Sequence, residues 1–201
     1  MDLFSFEPTA QSNKPSLLAD RMRPESLEEY IGQEHIIGPG TLLRRAIEAD
    51  RITSILLYGP PGSGKTTLAH IISVQTKAHF MKLNAVDASV KDVRKVIDEA
   101  NSRRNLYGEK TILFLDEVHR FSKSQQDSLL NAVETGTVTL IGATTENPSF
   151  EVIRPLLSRC QVYVLKSMEK KDLEKLLQRA LTEDHILKDK KIDIKENSAL
   201  F

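Results

Sequence analysis

The run "GPPGSGKT" at positions 59–66 constrains this chain more than any other feature. It follows the apolar segment "SILLY" directly and leads directly into the helical "TLAHIISVQ". A strand, a glycine-rich turn and a helix in that order make a phosphate-binding loop. Gly62 and Gly64 take backbone angles closed to other residues, which lets amide groups crowd around phosphate oxygens. Lys65 reaches the β- and γ-phosphates and the Thr66 hydroxyl ligates Mg2+. The helix that follows directs the favourable end of its dipole at the anion. The loop therefore predicts nucleotide binding, with ATP and Mg2+ as its ligands.

Around this loop, strand-like and helix-like segments alternate. "SILLYG" (54–59), "HFMKLN" (79–84), "TILFLD" (111–116), "TVTLIGAT" (137–144) and "QVYVLK" (161–166) are short β-rich runs. Several are almost continuously apolar, as parallel strands covered on both faces are, and "VYVL" reads as one such buried strand. Between them, Ser89 is an N-cap with Asp92 at the third helical position, followed by Val93, Val96, Ile97 and Ala100 at helical spacing. Leu173, Leu176, Leu177, Ala180 and Leu181 form a second amphipathic stripe. The pattern predicts an α/β fold, a five-stranded, largely parallel sheet flanked by helices.

Three further strand ends carry chemistry. In "ILFLDEVHRF", Asp116 and Glu117 close an apolar strand at the sheet edge where ligands bind in open α/β folds. Asp116 suits Mg2+, directly or through water, and Glu117 suits orienting and deprotonating an attacking water. "DEVH" also fits a helicase box, but that needs a second such domain, so His119 reads as a helix-start or packing residue. "LIGATTENP" ends in Thr144 and Thr145; either hydroxyl can position water or sense the γ-phosphate, and Thr145 is the preferred candidate. Asn84, ending "MKLN", is placed to bond Glu117 in one nucleotide state and release it in another. Arg159 stands before "VYVL", either as a surface salt bridge or as a charge offered to another molecule.

The ordered set "RMRPESLEEYIGQ" (21–33), "GPPGSGKT", "LFLDE", "GATTENPSF" (142–150) and "LLSRC" (156–160) resembles the AAA+ ATPases of the clamp-loader group. "KSQQDSLL" (123–130) with "GTVTLIGATTENPSF" narrows the resemblance to the replication-associated recombination protein A family, relatives of the Werner-helicase-interacting ATPase. It spans roughly residues 15–180. The resemblance implies a P-loop AAA+ core with the start of an α-helical lid. It places Arg21, Tyr30, Ile31 and Gly32 beside the adenine, and Gly59, Pro60, Pro61, Gly62, Ser63, Gly64, Lys65, Thr66 and Thr67 around the phosphates. Asp116 and Thr66 become the Mg2+ residues, Glu117 the water residue, Thr145 the first sensor and Asn84 the glutamate switch. Arg159 becomes an arginine finger acting in trans on a neighbouring subunit's ATP. The family's second sensor arginine and oligomerisation domain are not found in this sequence.

The same resemblance implies Mg2+-dependent ATP hydrolysis in fork maintenance, recombination and repair. A clamp-loader subunit, a Holliday-junction branch-migration motor and an ATP-switched scaffold are the alternatives. Expected partners are DNA, single-stranded or in fork and gap structures, copies of the same chain, and a single-strand-binding protein or sliding clamp. With 28 basic and 28 acidic residues, bulk charge supports neither a nucleic-acid nor a membrane partner, so DNA contact needs a local patch. Lys91, Arg94, Lys95, Arg103 and Arg104 are the candidates. One cysteine, Cys160, excludes an internal disulfide framework and reads as a small buried hydrophobe rather than a nucleophile. The start has no apolar core of a secretory signal and no run is long enough to span a bilayer, so a cytoplasmic, nucleoid-associated protein is expected. The expected organisation is a flexible segment over 1–14, where Leu3, Phe4 and Phe6 form either a short docking motif or a local packing contact with the domain, a nucleotide-binding core over 15–166, and a lid beginning at 167. The ending "NSALF" reads as a helix just begun, so the lid is expected to be truncated.

Overall fold

The structure, a computed structural model, describes residues 17–188 and 190. The Leu3, Phe4 and Phe6 segment and the "NSALF" ending lie outside the described residues. In chain order the elements are α1 (Leu18–Arg21), α2 (Glu34–Ile37), α3 (Leu42–Glu48), β1 (Ile55–Tyr58), α4 (Lys65–Gln75), β2 (His79–Asn84), α5 (Val90–Tyr107), β3 (Thr111–Asp116), a 3-10 turn (Val118–Arg120), α6 (Lys123–Glu134), β4 (Thr139–Thr144), α7 (Pro148–Glu151), α8 (Arg154–Leu157), β5 (Gln161–Val164) and α9 (Lys170–Glu183).

All five strands run parallel, in the order β2-β3-β4-β1-β5. The expected α/β architecture is therefore present, and its strand order matters for function. The chain leaves β1, crosses to the far edge to lay down β2, and then fills inwards with β3 and β4. The ends of β1, β4 and β3 consequently stand side by side, with Tyr58 opposite Thr144 and Leu115 opposite Gly142.

Alternation within the apolar strands sorts the core into two halves. Ile55, Leu57, Ile112, Phe114, Ile141 and Ala143 pack with α4, α3 and the segment around Tyr30. Leu56, Leu113, Leu115 and Leu140 face α5 and α6 on the other side. Leu56 and Leu57 are both fully buried, and each such side chain stabilises the fold by about 1.5–3 kcal/mol. Helix α5 begins with the expected reciprocal cap, Ser89 with Asp92. Its Val93, Val96 and Ala100 are buried. Helix α6 is capped the same way by Ser122 and Gln125.

One expectation is overturned. β5 is not a buried strand: Gln161, Val162 and Val164 are exposed and Tyr163 is half-buried. It pairs with β1 on one side only, at the edge of the sheet; Tyr163 packs against the first core half, while Val162 and Val164 on the other face are left uncovered.

Two ion pairs fasten α9 and the turn after it to the N-terminal segment. Arg21 grips Asp184 with Nε and a second guanidinium nitrogen at 2.6 and 3.1 Å, and Arg179 reaches Glu29 at 2.8 Å. The α9 stripe is only partly covered, with Ala180 buried and Leu177 exposed. Cys160 packs at the margin of the second core half, and burial pushes its thiol up to about 12. Among the described residues no helix is long and apolar enough to cross a membrane.

Candidate active site

The loop between β1 and α4 has the backbone that its glycines were expected to give. Gly62 and Gly64 lie at φ of +73° and +93°. At Gly64 a Cβ would run into the Tyr30 phenol, so glycine is required there twice over. The first turn of α4 has no side-chain cap, which leaves its amides available to an anion. Lys65 is buried, and its ammonium donates to the carbonyls of Gly59 and Pro60 at 2.7 and 2.9 Å. Burial lowers its pKa, and the fields of Glu117 and Asp116 oppose that shift. The Ser63 hydroxyl oxygen is buried without a partner. Thr66 and Thr67 are half-buried, Pro60 is half-buried and Pro61 is exposed.

Asp116 and Glu117 emerge from β3 one strand away from β4 and two from β1. Glu117 occupies the left-handed region at φ 55°, ψ 47°, a conformation that costs a branched or long side chain energy and clusters at functional sites. The turn that follows brings His119 back over it, with Nδ1 3.3 Å from Glu117 Oε2. The same Nδ1 lies 3.0 Å from Thr144 Oγ1. His119 lies within the short turn, after Val118, and its ring contacts the catalytic candidate, which local spacing does not reveal. Lys82 on β2 adds a cation 3.7 Å from Asp116.

At the end of β4, Thr144 is completely buried. Its hydroxyl accepts the Glu146 N–H at 3.0 Å, lies 3.2 Å from the Glu146 carbonyl, and its own carbonyl accepts the Gly59 N–H at 3.2 Å. Thr145, the preferred sensor candidate, is half-buried. Asn84 lies opposite Asp116 in the sheet, but its side-chain oxygen accepts the Val86 N–H at 3.0 Å, and it makes no bond to Glu117 in this structure.

Arg159 follows α8. Its guanidinium donates to Glu134 at 2.8 Å and to the Pro155 carbonyl at 2.7 Å. Gln126 of α6 sets this region, donating to the Phe121 and Glu151 carbonyls and accepting the Ile153 N–H. The sequence marker "KSQQDSLL" thus has a physical use: one glutamine caps α6 and the next latches the α7–α8 turn. Of the basic candidates, Lys91, Arg94 and Lys95 are exposed on α5. Arg103 is engaged by Glu99 and Glu109, and Arg104 donates to the Thr135 carbonyl.

The N-terminal segment reaches the loop through residues 30–33. The Tyr30 hydroxyl and the Gln33 amide both donate to the Ser63 carbonyl at 3.3 Å. Gln33 also donates to the Lys166 carbonyl at 2.7 Å and accepts the Lys166 N–H at 2.9 Å. Burial raises the Tyr30 phenol pKa. Gly32 lies against the buried Asp172 at the start of α9, and Ile31 is half-buried. Arg21 is committed to Asp184. Gln33 belongs to the segment 21–33, whose sequence gives it no evident role. Its position before an acidic helix start was the only local signal.

The residues present fit a nucleotide and Mg2+. Uncapped amides, an ammonium held at the loop by its own carbonyls, and an orphaned buried hydroxyl mark an anion cradle. Thr66 and Asp116 offer two hard oxygens, a set suited to an ion that completes its shell with water and phosphate.

Known proteins resemble this chain. The profile of the ATPase family associated with various cellular activities (AAA) matches residues 55–168. Replication-associated recombination protein A of Escherichia coli (strain K12) is 54% identical over 164 residues, 82% of this chain and 36% of that protein. ATPase WRNIP1 of Dictyostelium discoideum is 42% identical over 97% of this chain and 22% of that protein. The chain thus spans about a third of the length of the first of these relatives. Among solved structures, the Thermotoga maritima RuvB Holliday junction branch migration motor superposes with a TM-score of 0.65 at 33% identity, over 80% of this chain and 54% of that one.

Proposed function

Since this chain belongs to the replication-associated recombination protein A family of AAA+ ATPases, we propose that it binds ATP with Mg2+ and hydrolyses it within a DNA-associated homo-oligomer. The observation that carries this reading is the position of Lys65, whose ammonium lies within the fields of both Asp116 and Glu117 while hydrogen-bonded into its own loop. A cation close enough to two carboxylates to feel both supports a site for the end of a triphosphate.

In this reading the loop amides and Lys65 hold the phosphates, and Tyr30, Ile31 and Gly32 flank the base. Mg2+, held by Thr66 and Asp116, supplies charge neutralisation when bound. Glu117 orients water in line with the γ-phosphorus and takes its proton, yielding ADP and phosphate. Thr145 contacts that water or the γ-phosphate, and Asn84 leaves Val86 to bond Glu117 in another nucleotide state. Arg159 leaves Glu134 to neutralise charge on a neighbour's ATP, an arrangement worth roughly 10³–10⁵-fold. The core over 15–166 does the chemistry, and the segment from 167, opening with α9, begins the lid. Its ties to Glu29, Gly32 and Arg21 support that assignment.

The name of the Escherichia coli relative points to a role in replication-associated recombination, with single-stranded, gapped or forked DNA as partner and α5 offering phosphate contacts through Lys91, Arg94 and Lys95. A second reading, a branch-migration motor, is favoured by the likeness to RuvB. Phosphate release by the intact protein tests the proposal, measured with Mg2+ and with single-stranded, duplex, gapped, forked or four-way DNA. Turnover that Glu117→Gln abolishes supports hydrolysis, and stimulation mainly by four-way junctions favours the motor. A wild-type protein that releases no phosphate under any of these conditions overturns it.

A further inference from the structure

The Glu117 carboxylate lies against His119, whose ring is hydrogen-bonded to Thr144, an arrangement that nothing in the P-loop chemistry requires. His119 Nδ1 faces two oxygens, Glu117 Oε2 at 3.3 Å and Thr144 Oγ1 at 3.0 Å. Thr144 Oγ1 already accepts the Glu146 N–H, and it has one hydrogen to place. Directed at the Glu146 carbonyl, 3.2 Å away, that hydrogen leaves Nδ1 facing only lone pairs. Nδ1 must then carry the ring hydrogen and donate it. Directed at Nδ1 instead, it leaves the Glu146 carbonyl without this donor and sets a bare ring nitrogen against a carboxylate. The first arrangement pairs Nδ1, the Thr144 hydroxyl and the Glu146 carbonyl and turns the positive edge of the ring towards the Glu117 carboxylate, and the second pairs fewer groups.

We propose that His119 is a positioning residue that fixes the Glu117 carboxylate through an Nδ1–H tautomer selected by Thr144. The arrangement links the carboxylate to the phosphate loop: Lys65 donates to the Gly59 carbonyl, the Gly59 N–H donates to the Thr144 carbonyl, and the Thr144 hydroxyl orients His119. Glu117, in a left-handed backbone, has its carboxylate beside this ring, and Asn84 makes no competing bond to it in this structure. The inference deepens the proposed hydrolysis and rests on it.

The test compares three substitutions in the intact protein. His119→Asn places an amide N–H near the position of Nδ1, His119→Gln reaches towards Nε2 instead, and His119→Ala removes both. Nucleotide affinity, measured by titration with a fluorescent ATP analogue, is expected to stay within about threefold of wild type in all three. Turnover is expected to stay near wild type for Asn and to fall about 10- to 100-fold for Gln and Ala, the scale of a small misplacement of a reacting group. Imidazole nitrogen NMR, with the His119 signal assigned by its loss in His119→Asn, gives a second readout independent of turnover. Nδ1 is expected to carry the hydrogen in wild type, and the isosteric Thr144→Val to lower that tautomer's population. Equal turnover in Asn, Gln and Ala, or an unprotonated Nδ1 in wild type, overturns the proposal. Absence of turnover in wild type instead overturns the hydrolysis reading and leaves the tautomer result to decide this one.

Discussion

Arg159 and Glu134, 25 residues apart in sequence, are joined by a 2.8 Å ion pair on the surface. A partly exposed pair of this kind contributes about 0–1 kcal/mol, so it holds Arg159 without committing it. Glu134→Gln is accordingly expected to leave the urea midpoint almost unchanged. If Arg159 serves a neighbouring site, the same substitution is expected to maintain or raise turnover in the assembled protein. A clear loss of turnover without loss of assembly would show that the pair itself is needed.

The two left-handed glycines of the phosphate loop make a contrast. Gly64→Ala meets both an unfavourable φ and the Tyr30 phenol, and is expected to cost about 2–3 kcal/mol and abolish nucleotide binding. Gly62→Ala meets open space and carries only the φ penalty, about 1 kcal/mol. Chemical denaturation with and without ATP measures both effects.

Gln126 is buried and makes three hydrogen bonds through one amide. Gln126→Ala leaves one buried and two part-buried backbone groups without this partner, with an expected cost of about 2–3 kcal/mol. Because the lost bonds hold the turn before Arg159, turnover is expected to fall more than nucleotide affinity.

Acid should loosen the attachment of the α9 region to the N-terminal segment. Hydrogen bonding from Arg21 lowers the Asp184 carboxyl from 3.8 to about 2. A depressed carboxylate stabilises the fold fully above its unfolded pKa and loses that contribution as pH falls through its folded one. The gap in stability between wild type and Asp184→Asn is therefore expected to be constant near neutrality and to close between roughly pH 4 and pH 2. Melting curves across that range read it, and a gap unaltered at pH 2 would contradict it.

How much was legible follows from the range of each interaction. "GPPGSGKT" carries its own geometry, because glycine conformations and a helix start are local properties, and β2 and β3 lie at their expected limits. The exposure of β5 was not legible: Val162, Tyr163 and Val164 have the composition of a covered strand, and only the placement of the strand and of the helices around it decides that one face stays bare. Gln33 acts on Lys166, 133 residues away, so its sequence neighbours say nothing of that bond. His119 was ambiguous for the same reason, since its meaning depends on Thr144 arriving from the adjacent strand.

Whether Arg159 completes the site of a neighbouring copy is decided most directly by mixing two inactive proteins. Arg159→Ala retains its own phosphate loop and Glu117, while Lys65→Ala retains a working Arg159. Each alone is expected to hydrolyse almost no ATP. In mixed oligomers whose composition is verified by native mass spectrometry, a fraction of the wild-type rate is expected to return, at sites pairing an intact loop with an intact arginine. No recovery in such mixed oligomers, with both parents folded and assembled, would contradict a site shared between subunits.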